Sequence, residues 1–332
     1  MHGLLIIKVM KKKVYTLLSP DQDTNSYNWS FWGDRALVRV EERVKNSNEI
    51  LFLDSHTQEY KSKIVEYKFD YKNKTLTDPK TILEDPYFSL EDPRLISKNS
   101  FTYIKYDAPK VECFFMKDGQ NLTSGHAWEK NWQFIDQEKY FYKIKPLVIK
   151  GPDYKERFEY NMDWKYGDVF HLSSNMFEIN DRQFILFHTY MSNETKRSDC
   201  NFNGQFADAD HSLKNERLYY QGVIELENLR PKFYVPKPLF NPPTTTNPYK
   251  FKKNKNRCVF VMCVRIINEE LYITAGINDH ECALITINAQ DFIKGVDQRK
   301  DFIEEISTTN LTNGLREYQS FYRLSNENNP SL

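Results

Sequence analysis

Four short stretches of the sequence place acids, cations and amides where they can do chemistry. The first is Ser89-Leu90-Glu91-Asp92-Pro93-Arg94-Leu95. Pro93 biases Asp92 away from the α region, and the stretch leads into an alternating apolar run from Phe101 to Tyr106. An aspartate at such a strand end can point into a central cavity and protonate a leaving oxygen, which is the task of the acid in glycosidic cleavage. Taken by itself the Glu-Asp-Pro-Arg tetrapeptide also reads as a turn with an Asp cap and an Arg ion pair. The second stretch, Thr274 to Cys282, carries Asp279 between two strands, with Gly276 permitting close backbone approach. Its Asn278-Asp279 pair equally suits a hairpin turn.

The third stretch is Glu129-Lys130-Asn131-Trp132-Gln133-Phe134. Lys130 and Asn131 offer a cation and an amide to phosphate or sugar hydroxyls, and Trp132 can stack on a sugar face or fill the core. The fourth joins His171-Leu172-Ser173-Ser174-Asn175 to Leu186-Phe187-His188-Thr189-Tyr190, where His188 shares a strand face with Leu186 and Tyr190. A strand histidine is also commonly a packed side chain with a bonded partner. No GxSxG, P-loop, HExxH or GxGxxG pattern occurs. The seven histidines do not cluster at metal-ligand spacing. The sequence therefore calls for no metal and no cofactor.

The elements that must position these residues are strands. Short apolar-alternating runs recur at Arg35 to Val40, Ile50 to Leu53, Lys63 to Phe69, Glu112 to Met116, Lys139 to Ile144 and Met176 to Ile179. Others follow at Phe184 to Thr189, Tyr219 to Glu225, Cys258 to Ile266, Glu270 to Gly276 and Cys282 to Ile287. Their period of two and their β-branched and aromatic residues mark them as strands. Turn signals such as Lys117-Asp118-Gly119-Gln120 and Ile179-Asn180-Asp181-Arg182 separate them. The best helical candidate is Asn288 to Ile306, where Phe292, Ile293, Val296 and Phe302 recur at helix-like spacing. The Pro-rich stretch from Pro236 to Pro248 reads as a long loop between like elements. Many short strands in one chain suit a sandwich, barrel or propeller, and no strict repeat of fixed length is visible.

Bulk properties narrow the partners. Lysine plus arginine and aspartate plus glutamate both number 46, so the net charge is zero. Such a balance gives no global attraction to nucleic acid or to an anionic membrane. Aromatics reach 15 % of the 332 residues, which fits pleated surfaces. Five cysteines show no CxxC spacing, and their odd count favours a reducing compartment. The apolar stretch Leu4 to Ile7 is short for a signal segment and is followed by Lys11, Lys12 and Lys13. No apolar run approaches the roughly 20 residues that span a bilayer. These features predict a cytoplasmic protein without nucleic-acid or membrane partners; a homo-oligomer is compatible with them.

In their order along the chain, these stretches resemble glycoside hydrolase family 130, the mannoside phosphorylases and their relatives. The matching stretches are Leu37-Val38-Arg39-Val40-Glu41, Glu91-Asp92-Pro93-Arg94, Lys130 to Phe134 and Leu186-Phe187-His188. They continue with Tyr219 to Leu226, Lys237 to Pro242, Val259-Phe260-Val261 and Ala275 to Asp279. The resemblance spans roughly residues 30 to 290. It implies an all-β five-bladed β-propeller over residues 1–332, with a core of about 30–290 and a short helical C-terminal piece in 291–332. It implies Asp92 as proton donor, acting directly or through a sugar hydroxyl. It further implies Arg39, Arg94, Asn131 and Asp279 as substrate-binding residues, and Lys130 and His188 as phosphate-binding ones. The partner would be an oligosaccharide or sugar phosphate, with inorganic phosphate or a nucleotide sugar as co-substrate. A phosphorylase needs one acid, because phosphate is the nucleophile. A hydrolase needs a base as well, for which Glu91 and Glu281 are candidates by type. The sequence departs from the family pattern at Val261 (proline in the family), at Asn131 (aspartate in many members) and at Ala275, where a tyrosine is missing. These departures leave phosphorolysis, hydrolysis and transfer open, alongside a catalytically inactive propeller that binds glycans or protein.

Overall fold

The structure is a computed structural model. It describes residues 13–17, 24–42, 62–107, 110–123, 131–135, 139–144, 147–150, 157–160, 169–191, 218–235, 259–277, 281–298 and 301–302. The chain is a five-bladed β-propeller. Strand β1 (Lys13–Leu17) precedes the first complete blade, made of β2 (Thr24–Trp32), β3 (Arg35–Glu42), β4 (Ser62–Asp70) and β5 (Thr75–Leu83). The second blade holds β6 (Ser89–Leu95), β7 (Ser100–Asp107), β8 (Lys110–Lys117) and β9 (Gln120–Thr123). The third holds β10 (Gln133–Phe134), β11 (Tyr140–Ile144), β12 (Leu147–Lys150) and β13 (Arg157–Tyr160).

In the fourth blade the first strand is split into β14 (Val169–Leu172) and β15 (Phe177–Ile179). Both pair with β16 (Arg182–Met191), which continues to β17 (Leu218–Glu227) and β18 (Arg230–Val235). The fifth blade is β19 (Val259–Ile267), β20 (Glu270–Ile277) and β21 (Glu281–Asn288), and β1 adds antiparallel to β21. An early segment thus completes the last blade, which removes one open sheet edge. Helix α1 (Ala289–Asp297) follows, and β22 (Asp301–Phe302) pairs with β18.

Among the described residues the interior consists of five apolar clusters, one at each interface between consecutive blades. The alternation along a strand assigns its residues to the two neighbours. In β3, Ala36, Val38 and Val40 pack toward the fifth blade, whereas Leu37 packs toward the second. In β16, Phe184 and Leu186 face the fifth blade, and Ile185 and Phe187 face the third. A blade buried on both faces needs apolar residues in both phases, which explains the continuous runs in β16 and β19.

Hairpins with left-handed residues close the blades at the end where the first strands finish. Asn180-Asp181, Asn228-Leu229 and Asn268-Glu269 have positive φ at both positions. That geometry matches the twist of two-residue hairpins. At the opposite end β3 is followed by residues 43–61, β16 by 192–217 and β18 by 236–258. The expected strand from Ile50 to Leu53 and the expected Pro236 to Pro248 loop lie outside the described residues.

Two expectations change in the fold. The helix is shorter than the Asn288 to Ile306 spacing predicts. Asn288 caps its start, accepting from the backbone N–H of Gln290 at 2.9 Å and of Asp291 at 3.3 Å, and the helix ends at Asp297. Phe302 lies instead in β22, opposite Phe233, because a strand partner was available on β18. The Glu-Asp-Pro-Arg stretch, expected as a turn, lies inside strand β6. No helix among the described residues is long and apolar enough to cross a membrane.

Helix α1 is held by Phe292, which meets Phe177 and Phe184 edge-on with centroids 5.6 Å away. Arg182 adds ion pairs to Glu225 at 2.6 Å and to Asp297 at 2.9 Å. Phe292→Ala is expected to cost about 3–5 kcal/mol. A urea unfolding midpoint within error of the parent would show that the helix is not part of the core.

Candidate functional site

The first strands of three blades carry a bulge, and that of a fourth is split. In β2 the register with β3 steps from Tyr27↔Arg39 to Trp29↔Val38, so Asn28 is the extra residue of a bulge. In β6 the step from Glu91↔Ile104 to Arg94↔Thr102 leaves Asp92 and Pro93 opposite one residue. In β19 the extra residue is Met262. Bulges re-aim side chains and free backbone groups from the ladder. Asn28 (φ 49°), Asp92 (φ 49°) and Asn131 (φ 68°) all adopt left-handed backbone. Asn and Asp tolerate that region better than other side-chain-bearing residues, yet each such position still costs of order 1–3 kcal/mol. Proline after Asp92 keeps it out of the right-handed α region and has no N–H to leave unpaired in the bulge.

The bulges bring Asn28 and Asp92 together across two blades. Asn28 Nδ2 donates to Asp92 Oδ1 at 2.8 Å. Arg39 Nη1 lies 3.8 Å from the same oxygen. Both groups act on Oδ1, and Oδ2 takes no part in these two contacts. Asp92 is 8 % exposed, so it is nearly enclosed without being sealed.

Arg39 organises this corner. Its Nη2 donates to Glu41 at 2.8 Å and to Glu91 at 2.9 Å, and its Nε donates to Ser62 Oγ at 3.1 Å. The guanidinium lies 4.7 Å over the ring of Tyr27, whose hydroxyl donates to Glu41. Burial disfavours the Arg39 cation, but Glu91, Tyr27, Glu41 and Asp92 outweigh it and hold its pKa well above the ordinary value. Arg39 is thus a fixed positive charge. Glu91, a candidate base by type, is engaged on this guanidinium.

Arg94 sits two residues beyond Asp92 and is 5 % exposed. Its Nη1 donates to the carbonyls of Ser173 and, at 3.2 Å, of Met262. Its Nη2 reaches Asn131 Oδ1 at 3.3 Å. Burial lowers its pKa, with Asp92 acting in the other direction. Arg94 and Asn131, both expected at the substrate, are thereby joined to each other. His188 is reached through Ser173, whose Oγ lies 2.7 Å from His188 Nδ1. The ring of Phe260 adjoins both His188 (4.5 Å between centroids) and Arg94 (5.8 Å). Lys130 and Asp279 lie outside the described residues; Glu281 begins β21. No cluster of metal-ligating side chains occurs among the described residues.

Sequence reasoning missed Asn28, Tyr27, Glu41 and Ser173. The signal for Asn28 is a lone amide within Tyr27-Asn28-Trp29-Ser30-Phe31-Trp32, in the polar phase between alternating aromatics. The bulge that makes it useful depends on the β3 partner. Gly276 completes the arrangement. A Cβ there would stand 1.9 Å from Asn28 Oδ1, so only glycine leaves the amide its place.

A scan against models of protein families finds no match, and a search of curated proteins finds none. Solved structures do match. A β-1,2-mannobiose phosphorylase from Listeria innocua aligns with a TM-score of 0.58 and 13 % identity, covering 87 % of this chain and 100 % of that one. A GDP-mannose-dependent mannosyltransferase from Leishmania mexicana aligns with a TM-score of 0.54 and 12 % identity, covering 85 % and 91 %. A glycoside hydrolase family 130 structure, from work on hydrolases that target β-1,2-mannosidic linkages in Candida mannan, gives 0.51 and 11 %, covering 80 % and 85 %. At these identities the likeness establishes the fold.

Gly276→Ala is expected to destabilise the chain by roughly 1–3 kcal/mol through overpacking. The double variant with Asn28→Ala should regain part of that loss, because the clash is with the Asn28 side chain. Additive losses in a urea double-mutant cycle would show that the two residues do not press on each other.

Proposed function

We propose that the chain is a carbohydrate-active enzyme that breaks or forms a mannoside linkage with inversion, and that Asp92 is its acid. The observation that carries this reading is the Asp92 carboxyl, held near the propeller axis with Oδ1 engaged by Asn28 and faced by Arg39. Strain at φ 49° on both Asn28 and Asp92 supports a role beyond folding. Propellers of the same fold include a mannobiose phosphorylase and a mannosyltransferase, which supports mannose as the sugar.

In the phosphorolytic form, inorganic phosphate attacks the anomeric carbon as the glycosidic C–O bond breaks. The leaving oxygen takes the proton from Asp92, directly or through a sugar hydroxyl. The products are a sugar 1-phosphate of inverted configuration and the shortened sugar. Arg39 and Asp279 bind hydroxyls of the sugar whose bond breaks, with Arg94 and Asn131 supporting the floor beneath it. Lys130 and His188 hold the phosphate, and Ser173 fixes the His188 ring through Nδ1. The engagement of Glu91 by Arg39 favours phosphate over base-activated water, since the carboxylate is already neutralised. In transfer from a nucleotide sugar the Asp92 carboxylate takes the proton of the acceptor hydroxyl as its oxygen bonds to the anomeric carbon and the nucleoside diphosphate leaves. Transfer is the second reading, supported by the matching mannosyltransferase fold.

The deciding experiment incubates purified protein with β-mannosides and inorganic phosphate and measures sugar 1-phosphate. Phosphate-dependent product is expected, with a drop of roughly 10²–10⁴-fold in Asp92→Asn. Product only from a nucleotide sugar selects transfer, and glycan binding without turnover selects the inactive propeller. Asn28→Ala should lower kcat about 10–100-fold, the equivalent of one hydrogen bond to a charged group. A change confined to KM would place Asn28 on the substrate instead of on Asp92.

A further inference from the structure

A cavity of about 400 Å³ lies on the far side of Arg94 from Asp92. Its walls come from the later residues of the first strands: beyond Asn28 in β2, beyond Asp92 in β6, and around Met262 to Arg265 in β19. These levels match across blades, since Ser30 Oγ donates to the Pro93 carbonyl and accepts from Leu95 N–H. Arg94 lines this cavity too and separates it from the Asp92 corner.

The chemistry of the walls is one-sided. Two guanidiniums, Arg94 and Arg265, line the cavity, and no aspartate or glutamate does among the described residues. Arg265 gives its Nε to the Phe31 carbonyl at 3.2 Å and its Nη2 to the Leu95 carbonyl at 2.9 Å. That leaves Nη1 without a hydrogen-bond acceptor among the described residues. Trp132 and Gln133, which also line it, are 4 % and 2 % exposed, and Trp132 Nε1 and Gln133 Nε2 are enclosed without an acceptor among the described residues. Buried donors without partners are costly; Arg265 itself is part-buried, so its remaining donor can meet a ligand from the cavity. Phe134, Ile135 and Met176 supply apolar surface beside them. The indole of Trp32, 39 % exposed, flanks Arg265 with the guanidinium 4.2 Å from its ring centroid. A volume of this size falls within the range of small-molecule sites.

We propose that this cavity binds a small organic anion. Its carboxylate or phosphate head lies on Arg265, whose Nη1 is open to it, on a wall that Trp132 and Gln133 share, and its apolar body lies against Phe134, Ile135 and Met176. The site is distinct from the Asp92 corner and does not depend on the sugar chemistry proposed there.

Titration calorimetry on the full chain tests this with benzoate, phenyl phosphate and the neutral isostere benzamide. One or both anions should bind with one-to-one stoichiometry, and benzamide should bind at least tenfold more weakly, about the contribution of one charge-assisted hydrogen bond. The tighter of the two anions identifies the head group. Arg265→Gln should weaken anion binding by about tenfold or more, and Gln133→Leu by a smaller factor, whereas His188→Gln should leave it unchanged. If Arg265→Gln fails to fold, Gln133→Leu and Arg265→Lys carry the test. Absence of binding by both anions, equal binding of benzamide, or indifference to every wall variant would overturn the proposal. Loss on His188→Gln would do so as well, by placing the anion beside His188 instead.

Discussion

Arg94 is a cation enclosed where the blades meet, and its hydrogen bonds reach three other blades. From β6 it binds Asn131 ahead of β10, the Ser173 carbonyl between β14 and β15, and the Met262 carbonyl in β19. A guanidinium suits this task because its donors lie in a fixed plane and fan outward. The carbonyls it uses are available because the strands are irregular there. Met262 is a bulge residue and Ser173 sits in a break, so neither position is set within an uninterrupted ladder. The first blade joins through Arg265, which spans the Phe31 and Leu95 carbonyls.

This arrangement places two different environments on either side of Arg94. On one side Asp92 faces Arg39 together with Glu41 and Glu91, a mixed-sign cluster whose charges are nearly all engaged. On the other side Arg265 stands among neutral groups. The difference arises from which residues follow the bulges. Before and at the bulges of β2 and β6 stand Tyr27, Asn28, Glu91 and Asp92; after them come Ser30, Trp32 and Leu95. Catalytic electrostatics benefits from the first kind of environment, where dipoles and charges are fixed before substrate arrives. Backbone strain at Asn28, Asp92 and Asn131 is balanced by the five apolar interfaces around the ring.

The sequence by itself determined the strand class of the chain and most of the strands flanked by hairpins. β3, β16, β19 and β20 could be read as strands because burial on both faces fills them with β-branched, aliphatic and aromatic residues, and Asn180-Asp181 announced its turn through its own left-handed preference. The sequence also singled out Asp92, Arg94, Asn131 and His188 by type, and the family resemblance added Arg39. The short first-strand pieces β10 and β14 escaped it, because they carry too few residues for a period to register. Helix α1 was located but overextended, since Phe302 fits a helical spacing as well as it fits a strand opposite Phe233. What only the tertiary structure decided is which polar residues meet. Asn28 reaches Asp92 because bulges in two different blades turn both side chains to the axis, and Gly276 from a third leaves room for the amide. Those are contacts between residues far apart in sequence, and no local preference encodes them.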